Sequence, residues 1–332
     1  MPMIHRVVLA CGHVLLPLLL SLPAADATAA TWEAYTYNPV ATVAAVRGLN
    51  RISDEMERAT DGALKMKLHL GGSLQINATN ITQAVADGVV QLGDDAFFTG
   101  NIPMSGVARL PMLIRDDAEF ARITPILDRY VTAAYARKGI VVLAQYTYPL
   151  QTAWSRRELT SLAGLKGLKM RVTSPEQGEL VRRFGGSSLT MQPSEVPAAL
   201  DRGVIDGAFT ASSGAGYTWR DLIRYNYRLQ INYVNSFIIA NREAFDALPS
   251  ETQAKLRAAA VDAGVWITAA MRVEEADLTQ KIAAGGVTVT AAKPDDIAEA
   301  QAKIAPYWEE WAKAHGPDAV EALRQIRATL GR

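Results

Sequence analysis

Covalent catalysis at a protein nucleophile needs a Ser or Cys held beside a base that titrates near neutrality, and this chain offers almost no such base. Its single cysteine is Cys11, and its four histidines are His5, His13, His69 and His315. His69, in the alternating run KMKLHL, reads as a strand-face residue; His315, just before Gly316-Pro317, reads as a helix C-terminal residue. One cysteine excludes a disulfide framework. No H-E-x-x-H, P-loop or G-x-G-x-x-G motif is present, so zinc-protease, nucleotide and dinucleotide chemistry are not expected, and neither a metal nor a cofactor is. The neighbouring acids Asp94-Asp95 and Glu309-Glu310 leave paired-carboxylate hydrolysis formally open, although adjacent acids at turns are ordinarily solvated. Asn77-Ala78-Thr79 and Asn80-Ile81-Thr82 match the glycosylation sequon, a weak three-residue signal.

The frame that would position any site is a chain of 332 residues, about two domains' worth, with 49% hydrophobic and 20% charged residues. Thirty-four Lys and Arg balance thirty-four Asp and Glu, leaving no electrostatic footprint for nucleic acid or an anionic membrane surface. Residues 1–29 read as a signal peptide: a basic start to Arg6, an apolar run from Val7 to Pro23, then small residues with an A-x-A site at Ala27-Thr28-Ala29. The expected location is therefore the periplasm. Cleavage near Ala29 or Ala30 removes Arg6 and Asp26, so the charge stays balanced, and it removes the only cysteine. The remaining chain must be held together by core packing alone.

Along that remainder, strand and helix signals alternate. Thr31 to Tyr37 reads as a strand, Val40 to Met56 as a helix, Leu64 to Leu70 as a strand, Asn77 to Ala86 as a helix and Val89 to Gly93 as a strand. Later come strand Gly139 to Tyr146, helix Pro175 to Phe184, strand Ser188 to Met191, helix Ser194 to Arg202 and strand Val204 to Phe209. This rhythm predicts an α/β protein with mostly parallel sheets. From Ser250, with Gln253 as a capping-box partner, helical spacing runs to Gly285. Either one helix of about 50 Å lies across both domains, or two helices break near Gly264. A last helical region opens at Pro294, with Trp308 and Trp311 near its middle.

An exported two-domain α/β chain without catalytic machinery points to ligand capture between its domains. The centre of the chain makes this specific. Leu162-Ala163-Gly164-Leu165-Lys166-Gly167-Leu168-Lys169-Met170-Arg171-Val172 is followed by Gly185-Gly186, by Glu195-Val196-Pro197-Ala198-Ala199-Leu200-Asp201-Arg202-Gly203-Val204-Ile205-Asp206-Gly207, and by Asn241 through Ala247-Leu248-Pro249. With Thr60-Asp61-Gly62, Gly72-Ser73-Leu74, Gly88-Val89-Val90 and Leu110-Pro111, these resemble the DctP-type solute-binding proteins of tripartite ATP-independent periplasmic (TRAP) transporters. The resemblance covers essentially the whole exported chain. It implies a two-lobed periplasmic-binding-protein-like fold, each lobe a mixed, mostly parallel sheet flanked by helices, with the long helix spanning both. The expected division is 30–148 plus about 237–270 for lobe I and 149–236 plus about 271–332 for lobe II, with the ligand cleft between them.

The resemblance also implies a small organic acid as ligand and TRAP permease subunits as membrane partners, and it places the family's carboxylate-binding arginine at Arg171. A guanidinium at a strand end in a cleft offers a planar fork that matches a carboxylate bidentately. Twenty residues earlier, where sialic-acid-binding members carry a second arginine, this chain has Gln151, which brings no second charge. After Asp206-Gly207, where those members show a polar Gln-Glu-Asn run, it reads Ala208-Phe209-Thr210. Fewer charges and more aromatic residues (Phe97, Phe98, Tyr146, Tyr148, Trp154) fit a monocarboxylate with an apolar or aromatic body better than a sugar acid. Trp154 and Phe209 are the expected walls, with Gln151, Thr210, Asn38, Phe98, Ser174 and Asn235 as further contacts. An exported enzyme or a sensor domain on the same two-lobed fold is the alternative.

Overall fold

The computed structural model describes residues 30–332; the expected signal peptide and its cleavage site lie outside the described residues. The strands are β1 (Ala30–Thr36), β2 (Leu64–His69), β3 (Leu92–Asp95), β4 (Ile140–Thr147), β5 (Thr152–Ser155), β6 (Lys169–Val172), β7 (Ser187–Thr190), β8 (Gly207–Thr210), β9 (Tyr225–Arg228), β10 (Asn235–Asn241) and β11 (Thr288–Ala291). The α-helices are α1 (Ala44–Ala59), α2 (Ile81–Ala86), α3 (Asp117–Ala136), α4 (Pro175–Arg183), α5 (Val196–Asp201), α6 (Arg242–Asp246), α7 (Ser250–Ala284), α8 (Pro294–Ala314) and α9 (Pro317–Leu330).

Two mixed sheets result. The first has the order β2-β1-β3-β10-β4, and the second β11-β9-β5-β8-β6-β7. In the first, β1 runs parallel to β2 and β3 while β10 runs antiparallel to β3 and β4. In the second, β6 runs parallel to β7 and β8 while β5 runs antiparallel to β8 and β9. This is the two-lobed α/β architecture, and helical spacing explains its layers. Leu49, Ile52 and Met56 put one apolar face of α1 into the first core, each contributing about 1.5–3 kcal/mol on burial. Gly48 on that helix lets α7 approach, since a Cβ there would stand 2.1 Å from Ile267. The second core gathers Leu180, Met170, Trp308, Trp311 and Leu323, and takes in Val107, Leu110, Ile123 and Leu127 from the segment before β4.

The long helix is single: α7 runs 35 residues without a break at Gly264. Gly264 is a packing position instead, because a Cβ there would sit 2.6 Å from the Gln145 carbonyl oxygen on β4. The capping box does not form. Ser250 is already helical, and the Gln253 amide donates to the Leu248 carbonyl at 2.9 Å. Two strands begin later than the apolar runs predict, β3 at Leu92 and β8 at Gly207. Gly88 and Gly203 take positive φ, and Val89 and Val204 bond back to Ala84 and Ala199 at 2.9 Å, finishing the helix turn instead of pairing. Among the described residues no helix is long and apolar enough to cross a membrane.

Candidate ligand-binding site

A cavity of about 50 Å³ lies between the two sheets. One wall comes from the ends of β1, β3 and β4 (Tyr37, Asn38, Phe97, Tyr148), the other from β6, β8 and the turn after β8 (Arg171, Thr173, Thr210, Ala215, Trp219). This is where ligands bind open α/β sheets, outside the carboxyl ends of parallel strands, where the next backbone turns leave a crevice. Of the expected site residues, Arg171, Gln151, Thr210 and Asn38 line it together.

Arg171 sits on β6 between Met170 and Val172, both of which point into the cores, so its own side chain faces the other way. It is only 2% exposed, and no acid pairs with it among the described residues. Its Nε donates to the Met191 carbonyl at 2.8 Å and its Nη1 to the Phe209 carbonyl at 3.2 Å; no described group accepts from Nη2. The rings of Trp219 and Phe97 lie 5.6 and 5.8 Å from its Cζ. Burial pushes the guanidinium down to about 10, which still leaves it charged at neutral pH.

The other five expected residues lie behind the walls. Trp154 is fully buried, its indole N–H donating to the Thr210 carbonyl at 2.9 Å and its ring packed against Gly216. Phe209 faces the second core and contributes its backbone carbonyl to Arg171. Phe98 packs edge-on against Phe237 under the guanidinium of Arg109, 4.4 Å from its Cζ. Ser174 opens α4 fully buried, and Asn235 accepts from the Arg109 Nη2 at its carbonyl, 2.6 Å away. Trp219, Pro193, Val40 and Val43 line the cavity without having been anticipated. Trp219 follows a π-turn at Ser212–Gly216, a segment whose sequence carries no periodic signal.

Tyr37 and Tyr148, both on the cavity wall, share a hydrogen bond of 2.6 Å. Behind them Tyr146 lies 3.4 Å from Tyr37 and donates to Asp94 Oδ1 at 2.8 Å. Asp94 also accepts from Ser236 at 2.5 Å and Thr36 at 2.6 Å. Burial pushes its carboxyl up and these donors pull it back down. His69 pairs with Glu33 on the far strand edge and His315 caps α8 against Trp311, so neither histidine reaches the cavity.

The family model for bacterial extracellular solute-binding protein, family 7 (DctP), matches residues 41–314. The chain belongs to this family, the solute-binding proteins of TRAP transporters. Among solved structures it resembles DctP7, a Bordetella pertussis extracytoplasmic solute receptor binding pyroglutamic acid, with 27% identity and a TM-score of 0.82 over 89% of this chain and 100% of that one. A monocarboxylate 2-oxoacid-binding periplasmic protein of Nostoc, all3028, is 23% identical over 77% of this chain and 72% of its own. The 2,3-diketo-L-gulonate-binding periplasmic protein YiaO of Escherichia coli is 26% identical over 64% of this chain and 67% of its own.

Proposed function

We propose that the chain is a periplasmic receptor for an organic acid, which captures a monocarboxylate through Arg171, encloses it by closing the two lobes, and hands it to a TRAP membrane permease. The observation that supports this is a buried guanidinium in the cavity that has, among the described residues, no acidic partner and no acceptor for its Nη2. A buried charge of that kind is unfavourable until an anion completes it. Gln151, Thr210 and Asn38 beside it add no second positive charge, which supports one carboxylate over two. The apolar surfaces of Phe97, Trp219, Val40 and Val43 fit an uncharged body. The pyroglutamate bound by DctP7 and the 2-oxoacids bound by all3028 are the first classes to test.

A thermal-shift screen of the exported chain against organic acids, with calorimetry on the hits, tests this. A carboxylic acid should raise the melting temperature of the wild type and not that of Arg171→Ala. Chemical turnover of the bound acid, or binding that ignores Arg171, would overturn it.

A further inference from the structure

One hydrogen bond bridges the lobes away from the strands that connect them. Gln192 Oε1 accepts from the backbone N–H of Ala78 at 3.1 Å. Among the described residues it is the only hydrogen bond that joins residues 30–101 to residues 152–228, and no ion pair does so. The bond is specified on both sides. Ala78 opens a 3-10 turn (Ala78–Asn80), whose first N–H groups have no partner within the turn. The Asn77 Oδ1 takes the Thr79 N–H at 3.0 Å and the Asn77 carbonyl takes that of Asn80 at 2.8 Å, which leaves the N–H of Ala78 for the opposite lobe. A backbone N–H can only donate, so the oxygen of the Gln192 carboxamide must face it.

The ligand site itself places Gln192. One residue earlier, the Met191 carbonyl accepts from Arg171 Nε at 2.8 Å; one residue later, Pro193 lines the cavity. Ser194 then meets the first lobe again, since a Cβ on Gly72 would stand 3.9 Å from the Ser194 Cβ. Residues 191–194 therefore touch the guanidinium, the cavity and the opposite lobe in succession. The chain passes between the sheets elsewhere, at 148–151, at 229–234 and along α7, so no covalent crossing enforces this contact.

We infer that Gln192 is a positioning residue of the receptor: its bond to Ala78 latches the lobes over the bound solute and sets how long the solute stays. This rests on the proposed capture by closure and deepens it. When the lobes part, water takes over both the Ala78 N–H and the Gln192 carboxamide, so the bond contributes little to the empty, open protein. In the closed complex it must break before the solute can leave. Its strength therefore falls on dissociation more than on association.

Stopped-flow tryptophan fluorescence on the exported chain tests the inference, with pyroglutamate and 2-oxo-3-methylbutanoate as probes. Gln192→Ala removes the acceptor. Ala78→Pro removes the donor at a first helical position, after an Asn77 whose φ of −69° and ψ of 146° suit a residue before proline. For whichever probe binds, or the tightest acid of the thermal-shift screen if neither does, each variant should raise the dissociation rate about three- to tenfold. The association rate should stay within about twofold of wild type. The double variant should exceed the larger single effect by no more than about twofold. Empty Gln192→Ala should melt within about 2 °C of wild type; a merely structural side chain would lower that temperature and leave the dissociation rate alone. Unchanged dissociation in either single variant, while Arg171→Ala still abolishes binding, overturns the latch and leaves the receptor standing. If no acid of the screen binds, or binding ignores Arg171, the receptor reading falls and the latch with it.

Discussion

Replacing Arg171 by alanine separates the cost of the guanidinium in the empty protein from its value to a ligand. Three of its five N–H groups have no partner among the described residues: the two of Nη2 and one of Nη1, the others going to Met191 and Phe209. Two charge-assisted bonds to a carboxylate are worth about 1.5–3 kcal/mol each. Removing the buried cation strands the ligand's charge, so the loss should be about 2–5 kcal/mol, about 30-fold to several thousand-fold in Kd. The empty protein should behave differently. A guanidinium held near 10 instead of 12.5 costs about 3 kcal/mol of folding stability wherever it is charged, a cost that fades only above about pH 10. Alanine relieves that cost but forfeits two bonds to carbonyls, about 1 kcal/mol each. The two nearly cancel. Calorimetry should therefore show binding lost or weakened at least 30-fold, while denaturant unfolding of the empty variant stays within about 2 kcal/mol of wild type. Affinity within threefold of wild type would refute the assignment of Arg171. Unfolding more than about 4 kcal/mol easier would show that it is mainly a structural group.

Gly264→Ala gains about 1 kcal/mol of helix propensity but drives a Cβ to 2.6 Å from a backbone carbonyl that has no side-chain freedom to yield; the net should be a loss of about 1–3 kcal/mol in denaturant unfolding. Asp95 is fully buried, with its Oδ1 unpaired and its carboxyl pushed up to about 6 by burial. A raised carboxyl binds more protons folded than unfolded between about pH 4 and 6, so its contribution lowers stability as pH rises through that window. Stability measured from pH 4 to 7 should fall by about 3 kcal/mol relative to Asp95→Asn over the same range, and parallel curves would count against it. Glu275 accepts from the backbone N–H groups of Ser212 at 3.2 Å and Ser213 at 2.9 Å and pairs with Arg228 at 3.0 Å. Glu275→Ala should cost about 3–5 kcal/mol and weaken solute binding, because the turn it holds carries Ala215 and Trp219; undiminished affinity by calorimetry would remove that link.

The order of strands and helices was legible because one-sided burial leaves a period in the sequence, as in Leu49, Ile52 and Met56 of α1. The 20-residue α3 left little trace: its apolar stripe splits between two cores, Leu127 facing the second and Val131 the first, and Pro125 interrupts it. Arg171 could be picked out because it closes the Lys166-Gly167-Leu168-Lys169-Met170-Arg171 motif that carries the family resemblance, and Asn38 follows the end of β1, where the chain turns at the crevice. The expected walls Trp154 and Phe209 miss the cavity for one reason. Strands β5 and β8 are buried on both faces, so no polar–apolar alternation says which residue points where. A one-residue change of parity exchanges core for crevice and puts Thr210 on the cavity in place of Phe209. Phe98 opens a single 3-10 turn after β3, where no periodicity fixes which of Phe97 and Phe98 faces the core.

If the receptor works by closure, the long helix must carry the pivot, and its side chains say where. Arg272 ties α7 to both sides, donating to the Thr147 carbonyl on β4 at 3.0 Å and to Asp117 at 2.8 Å, the first residue of α3, whose Phe120 and Ile123 pack in the second core. One helical turn later Glu275 fastens it to the second, through Arg228 on β9 and the Ser212–Ser213 backbone. Glu275 binds the second side alone, so lobe motion would bend the chain near this turn of α7, at the crossings 148–151 and 229–234, and where the segment 102–131 passes into the second core and back. Those crossings carry Tyr148, Gln151 and Val234, three of the cavity's own residues. Under the proposed closure, two of the joints that would bend are also cavity surface, so solute contact there would act on the closure equilibrium directly.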